Sequence, residues 1–138
     1  MNGLIRLNWL VTTGFLGATL MTHLAAESID LVYAIASSVL FVIGAGLCFL
    51  GFWNGLQRSR TELVTLPGLL AISSSHVPTR ERNLMWGAIA AQIVIAVAGA
   101  SLRPFTPQAF GLLVPLFGIG LATLYGSREA DFFERDAK

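Results

Sequence analysis

The stretch LVYAIASSVLFVIGAGLCFLGFW, residues 31–53, runs for 23 residues without a charge. At about 1.5 Å per residue, a helix of that length crosses a hydrocarbon core of about 30 Å. A second uncharged run, Leu84–Leu102, predicts another span. A third, Gln108–Tyr125, follows Thr106 as an N-cap and Pro107 at the first helical position, where a missing N–H costs nothing. Pro115 within it predicts a kink. The first segment, Leu4–Leu24, is the most dilute, because Arg6, Asn8, several threonines and His23 interrupt it.

Four spans with short flanks use nearly all of the 138 residues, so the expected fold is all-α: one transmembrane domain over residues 1–138, a four-helix bundle of two antiparallel hairpins. Composition agrees, with 54% apolar residues, 12% charged residues and a mean hydropathy of +0.69, against roughly 25% charged in soluble domains. The first span also has the outline of a signal peptide. Cutting after Ala26 or Ala25 would leave Leu24 or His23 at the third position back, so an uncleaved span is expected.

Charge sets the expected orientation. Arg6, Arg58, Arg60, Arg80, Arg82, Arg128, Arg135 and Lys138 flank one side of the map, and Arg103 alone flanks the other. The positive-inside rule makes the crowded side cytoplasmic, with both termini there and the chain in the inner or plasma membrane. Trp9, Trp53, Trp86 and Tyr125 fall at that same end, one per span, and read as membrane-interface anchors, while Tyr33 and Phe105 mark the opposite side. A net charge of +1 leaves no footprint for nucleic acid. The abundance of Arg, Ala and Gly points to a GC-rich bacterial genome. Cys48 is the only cysteine, which removes internal disulfides and thiolate clusters and leaves a small buried hydrophobe.

The connections 25–30 and 103–107 are short, whereas 57–83 is long. Its apolar residues around Leu63–Ile72 are interrupted by Pro67-Gly68, which predicts an interfacial or partly re-entrant stretch. Residues 73–78 read as flexible loop, and Thr79 is the expected cap of the third span. After Gly126 the i,i+4 pairs Asp131/Arg135 and Glu134/Lys138 predict a short surface helix restarting at Ser127.

Residues 44–50 (GAGLCFL) match residues 118–124 (GIGLATL) at four of seven positions, which suggests a weak tandem repeat of two like-oriented hairpins. Gly51 and Gly55 form a GxxxG pair, and Gly118, Ala122 and Gly126 continue the pattern in the last span; such stripes let helix backbones approach.

No ionisable residue lies in the core of the last three spans, which disfavours proton-coupled antiport of the small multidrug-transporter kind. His23 and His76 fall on opposite sides, which excludes bis-histidine haem ligation between them. Gln92, in the middle of the third span, is expected to hydrogen-bond a neighbouring helix, and Asn54 and Gln57 to lie at the interface. His23, Glu27 and Asp30 share one helical face but are too few for a structural metal site, so a solvated cap is expected. No nucleophile–base order, phosphate loop or carboxylate dyad is present, and no cofactor is called for.

These features favour a non-enzymatic accessory or assembly subunit whose partners are the lipid bilayer and either another membrane protein or its own copies. The alternative is a small homo-oligomeric transporter, channel or lipid flippase, motivated by the repeat and by Pro115, Gly118 and Gly120. In length and two-plus-two layout the chain resembles the GtrA-like membrane proteins, and that resemblance implies polyprenyl-linked sugar translocation. Orientation has a direct test: a Ser74→Cys variant should be labelled only from the cytoplasmic side, and labelling from outside would invert the map.

Overall fold

A computed structural model describes residues 3–24, 28–60, 62–72 and 77–129. The chain forms α1 (Gly3–Leu24), α2 (Ser28–Arg58), the single-turn α3 (Leu66–Leu69), α4 (Thr79–Leu102), a 3-10 helix (Pro107–Leu113) and α5 (Pro115–Glu129). Four segments, Gly3–Leu24, Ile29–Arg58, Thr79–Leu102 and Pro107–Glu129, are long and apolar enough to cross a membrane. The protein is an all-α, multi-pass four-helix bundle. The end carrying Arg58 and Arg128 is called the basic end below, and the other the Arg103 end.

The helices outrun the uncharged stretches because their ends tolerate the charges that the dipole favours. α2 begins at Ser28 with Asp30 in its first turn and ends on Arg58, each sign opposite to its helix terminus. α4 starts one position earlier than a Thr79 cap would place it. Pro78 is the N-cap, and its carbonyl accepts from Glu81 N at 2.9 Å and Arg82 N at 3.1 Å.

The fourth span changes winding where a kink was expected. From Pro107 to Leu113 it is a 3-10 helix, and α geometry starts at Pro115. A continuous α-helix would drive the Pro115 ring into the carbonyl four residues back, that of Gly111. Gly111 O instead accepts from Val114 N at 3.1 Å, and Val114 O accepts from Phe117 N at 2.9 Å. Thr106 holds the N-cap position, but its hydroxyl donates back to Arg103 O at 2.7 Å rather than capping forward.

The closest packing joins helices that are not neighbours in sequence. α2 packs on α5 and α1 on α4, α4 also meets α5 and the 3-10 helix, and α1 meets α2 only slightly. α2 and α5 run in parallel, both ending at the basic end, where Arg58 Nη1 donates to Ser127 O at 3.0 Å. Glycines on both sides of the seam let the backbones approach. A Cβ on Gly44 would lie 2.6 Å from Phe117 Cα, one on Gly51 would lie 2.8 Å from the Thr123 carbonyl carbon, and Gly120 sits against Gly44 O. The two stretches that match in sequence thus meet at Gly44 and Gly120, whereas Gly46 faces open space and Gly118 turns toward Gln92.

The long connection closes the basic end. Thr65 Oγ1 accepts from Gly68 N at 3.3 Å, and Pro67 occupies the first turn of α3. Ala71, at φ 54°, takes the left-handed position of a Schellman ending: Ala71 N bonds Gly68 O at 3.0 Å and Ile72 N bonds Pro67 O at 2.8 Å. Leu69 seats on Gly55, and the Gly68 and Leu69 carbonyls lie against Gly126. The expected loop at residues 73–76 and the expected helix beyond Glu129 lie outside the described residues. Ser127 does not restart a helix, since α5 runs through it and its buried hydroxyl donates to Leu124 O at 2.9 Å.

A Gly44→Ala variant should lose about 1–3 kcal/mol of stability in a denaturation titration, the range for overpacking a tight contact. Gly46→Ala, whose new Cβ meets nothing within 4 Å, should be neutral to slightly stabilising.

Candidate functional site

The centre of the bundle holds a polar bridge between α1 and α4. Asn8 and Thr12 stand one turn apart on α1, and Met85 and Gln92 two turns apart on α4, so the pairs meet across the interface. Gln92 Nε2 donates to Asn8 Oδ1 and to Thr12 Oγ1, each at 2.9 Å. Thr12 Oγ1 in turn donates to Asn8 O at 2.8 Å. Asn8 Nδ2 reaches Met85 O at 3.4 Å and Met85 Sδ at 3.3 Å. Asn8 and Gln92 are fully buried.

Gln92 Oε1 has no hydrogen-bond partner among the described residues. It lies beside Gly118, where a Cβ would stand 2.6 Å from it and 2.9 Å from Ile89 Cγ1. Gly118 therefore provides the room that the Gln92 amide occupies. The bridge carries no charge, so it ties helices together and has no proton of its own to relay.

A second polar group stands at the Arg103 end. Gln108, fully buried, contacts Thr22 Oγ1 through its Nε2, and the same nitrogen lies 2.9 Å from His23 Nδ1. Thr22 Oγ1 donates to Thr19 O at 2.8 Å, and Thr19 Oγ1 pairs with Tyr33 OH at 3.3 Å. Arg103 Nη1 donates to Thr22 O at 2.9 Å and stands 3.6 Å from Asp30 Oδ1. Asp30 Oδ1 and Gln108 Oε1 are buried without a hydrogen-bond partner among the described residues. Tyr33 stacks on Phe15 with ring centroids 6.0 Å apart, and Gly111 is the position its hydroxyl end packs against.

The residues singled out at the basic end take different places. Trp9 Nε1 donates to Leu84 O at 3.1 Å, and Trp86 Nε1 donates to Leu70 O at 3.2 Å, which ties α1 to α4 and α4 to the long connection. Trp53 is exposed and stacks on Phe49 with centroids 6.3 Å apart. Tyr125 is not at the lipid surface: it is 1% exposed, and its hydroxyl donates to Glu81 Oε2 at 2.6 Å between α5 and α4. Its face of α5 turns inward, so the ring packs in the core with Met85 and Leu121. Gly51 faces α5 and Gly55 faces Leu69, so the GxxxG pair serves two different contacts inside one chain.

Of the three residues on the expected external cap, His23 faces Gln108, Asp30 faces Arg103, and Glu27 lies outside the described residues. Among the described residues, no three His, Cys, Asp or Glu side chains gather closely enough to hold a metal. Gln92 stands out in the sequence as a lone amide in an apolar run, whereas its partners do not. Ile5, Asn8, Thr12, Phe15, Thr19 and Thr22 are the buried positions of α1, and their spacing of three and four was the available signal.

Replacing Gln92 with Leu should destabilise the bundle by about 0.6–1.7 kcal/mol, the range measured for interhelical hydrogen bonds in lipid. An Asn8→Leu/Gln92→Leu double-mutant cycle should return a coupling of that order, and additivity would remove the bridge from the account.

No protein-family model matches the chain, and neither a curated protein nor a solved structure does.

Proposed function

We propose that this small membrane protein is a non-enzymatic accessory or assembly subunit of a larger complex in the cell membrane, with both termini in the cytoplasm. The observation that carries this reading is the polar bridge, whose side chains bind one another and carry no charge, while α2 supplies open surface for a partner. Such a bridge is the arrangement of a scaffold. α2 is the longest helix, yet only 17% of its most apolar window is buried within the chain, against 61% for the fourth span. Leu31, Ile35, Val42 and Phe49 are among its exposed apolar residues. Eight basic residues on one side support the orientation.

A second reading, a small transporter or lipid flippase, is favoured by an apolar groove of about 290 Å³ between α1 and α2 and by the change of winding before Pro115. Affinity purification in a mild detergent separates the two. A stoichiometric membrane partner is expected, and an Ile35→Arg/Val42→Arg double variant should lose it. Recovery of the chain alone, together with lipid or solute flux in proteoliposomes, would replace the first reading by the second.

A further inference from the structure

We infer that the α1–α2 groove, with Arg103 and Asp30 just beyond its lining residues, is a seat for one bilayer phospholipid that carries a primary ammonium head group. The groove exists because two helices adjacent in sequence barely touch. Val11, Gly14 and Ala18 form its α1 wall and Val32, Ala36 and Leu40 its α2 wall. Gly14 is open: a Cβ there meets nothing within 4 Å. The groove is almost wholly apolar, as a hydrocarbon chain requires. Ser37, 2% exposed, lines it and has no side-chain hydrogen bond among the described residues.

That charged pair supplies the choice of lipid. Thr22 lies one turn beyond Ala18 on the same face of α1, and Asp30 lies one turn before Tyr33 on the groove face of α2. Arg103 reaches across both. Its Nη1 donates to Thr22 O and stops 3.6 Å from Asp30 Oδ1, beyond hydrogen-bond distance. The guanidinium side chain keeps 36% of its surface open and the carboxylate 10%. A cation and an anion thus stand side by side at the level where a span emerges from lipid, above a slot for a chain. A phosphate beside Arg103 and an ammonium beside Asp30 would complete both charges, and Asp30 Oδ1, a buried acceptor without a donor among the described residues, calls for N–H groups. Phosphatidylethanolamine has them; the quaternary head of phosphatidylcholine does not, and phosphatidylglycerol has no cation. The same placement gives a role to the one basic residue that stands apart from the other eight.

This inference does not rest on the accessory reading, and its test contains no partner protein. The full chain is reconstituted with equal amounts of palmitoyl-oleoyl phosphatidylethanolamine, phosphatidylcholine and phosphatidylglycerol, released in mild detergent, and its retained lipids are counted by native mass spectrometry. The ethanolamine lipid should be retained over each of the others by about fivefold, as partly exposed ion pairs allow. Asp30→Asn should erase the preference over phosphatidylcholine, and Arg103→Gln should lower retention of all three lipids, since each carries the phosphate. Gly14→Leu and Ala36→Leu, one from each wall, should each reduce retention of all three by about tenfold, since each displaces roughly two methylenes of buried chain. Circular dichroism and thermal melts identify a variant that fails to fold, and Asp30→Asn, beyond the groove lining, keeps the test decisive if both groove variants do. Equal retention of the three lipids by the parent chain overturns the proposal, as does a preference that survives Asp30→Asn. A dimer that Gly14→Leu dissolves without changing lipid retention overturns it too, and assigns the groove to a second copy of the chain.

Discussion

Hydrocarbon gives an apolar helix no hydrophobic reason to seek another, so a bundle in lipid depends on close contact and on polar groups that lipid cannot satisfy. Here that constraint falls on the hydrogen bonds from Gln92 to Asn8 and Thr12. They hold α1 to α4, and they set the register of both. Gly118 accommodates the amide from α5, so a third helix is fitted to the same point. The remaining contacts follow: α5 comes close to Gly44 and Gly51 of α2, and the long connection drops Leu69 and its carbonyls onto Gly55 and Gly126.

Glycine therefore does three different jobs along one sequence pattern. At Gly44, Gly51 and Gly120 it brings two parallel backbones together; at Gly55 and Gly126 it admits a loop; at Gly118 it admits a side chain. None of these is an advertised surface for self-association. The GxxxG pair, which in an isolated helix reads as a dimer motif, is satisfied here within the monomer.

The number, type and approximate ends of the helices were legible because a long uncharged run has few structural outcomes in a chain so apolar. The pairing was not. Hydropathy says that α1 and α2 are spans, but only the buried spacing of Asn8, Thr12 and Thr22 says that α1 turns toward α4. Of the residues that dilute the hydrophobicity of α1, Asn8, Thr12, Thr19 and Thr22 form its buried face, while Arg6 and Thr13 are exposed. Tyr125 shows the same limit: an aromatic near a helix end is counted as an interface residue by position, whereas its helical face decides whether it meets lipid or Glu81. Pro115 was a clear signal of disturbance, yet a kink and 3-10 winding both relieve it, and the sequence does not choose between them; the chain winds as 3-10 helix up to Leu113, with Gly111 against Tyr33. The Arg103 end was the least legible part, since Gln108, Thr22 and Asp30 come together only through the fold.

In the central bridge Gln92 stands 84 residues from Asn8 and 80 from Thr12 in the chain. During synthesis, α1 and α2 enter the membrane before α4 exists, and they have little contact with each other to share meanwhile. Over that interval Asn8 and Thr12 lie in hydrocarbon without the amide that will bind them, which favours exit, tilting or capture by whatever polar group is at hand. Insertion and folding are thus separate events for this chain. The first half becomes committed to its place only when the third span arrives, so the time between those two moments is when the protein is most exposed to quality control.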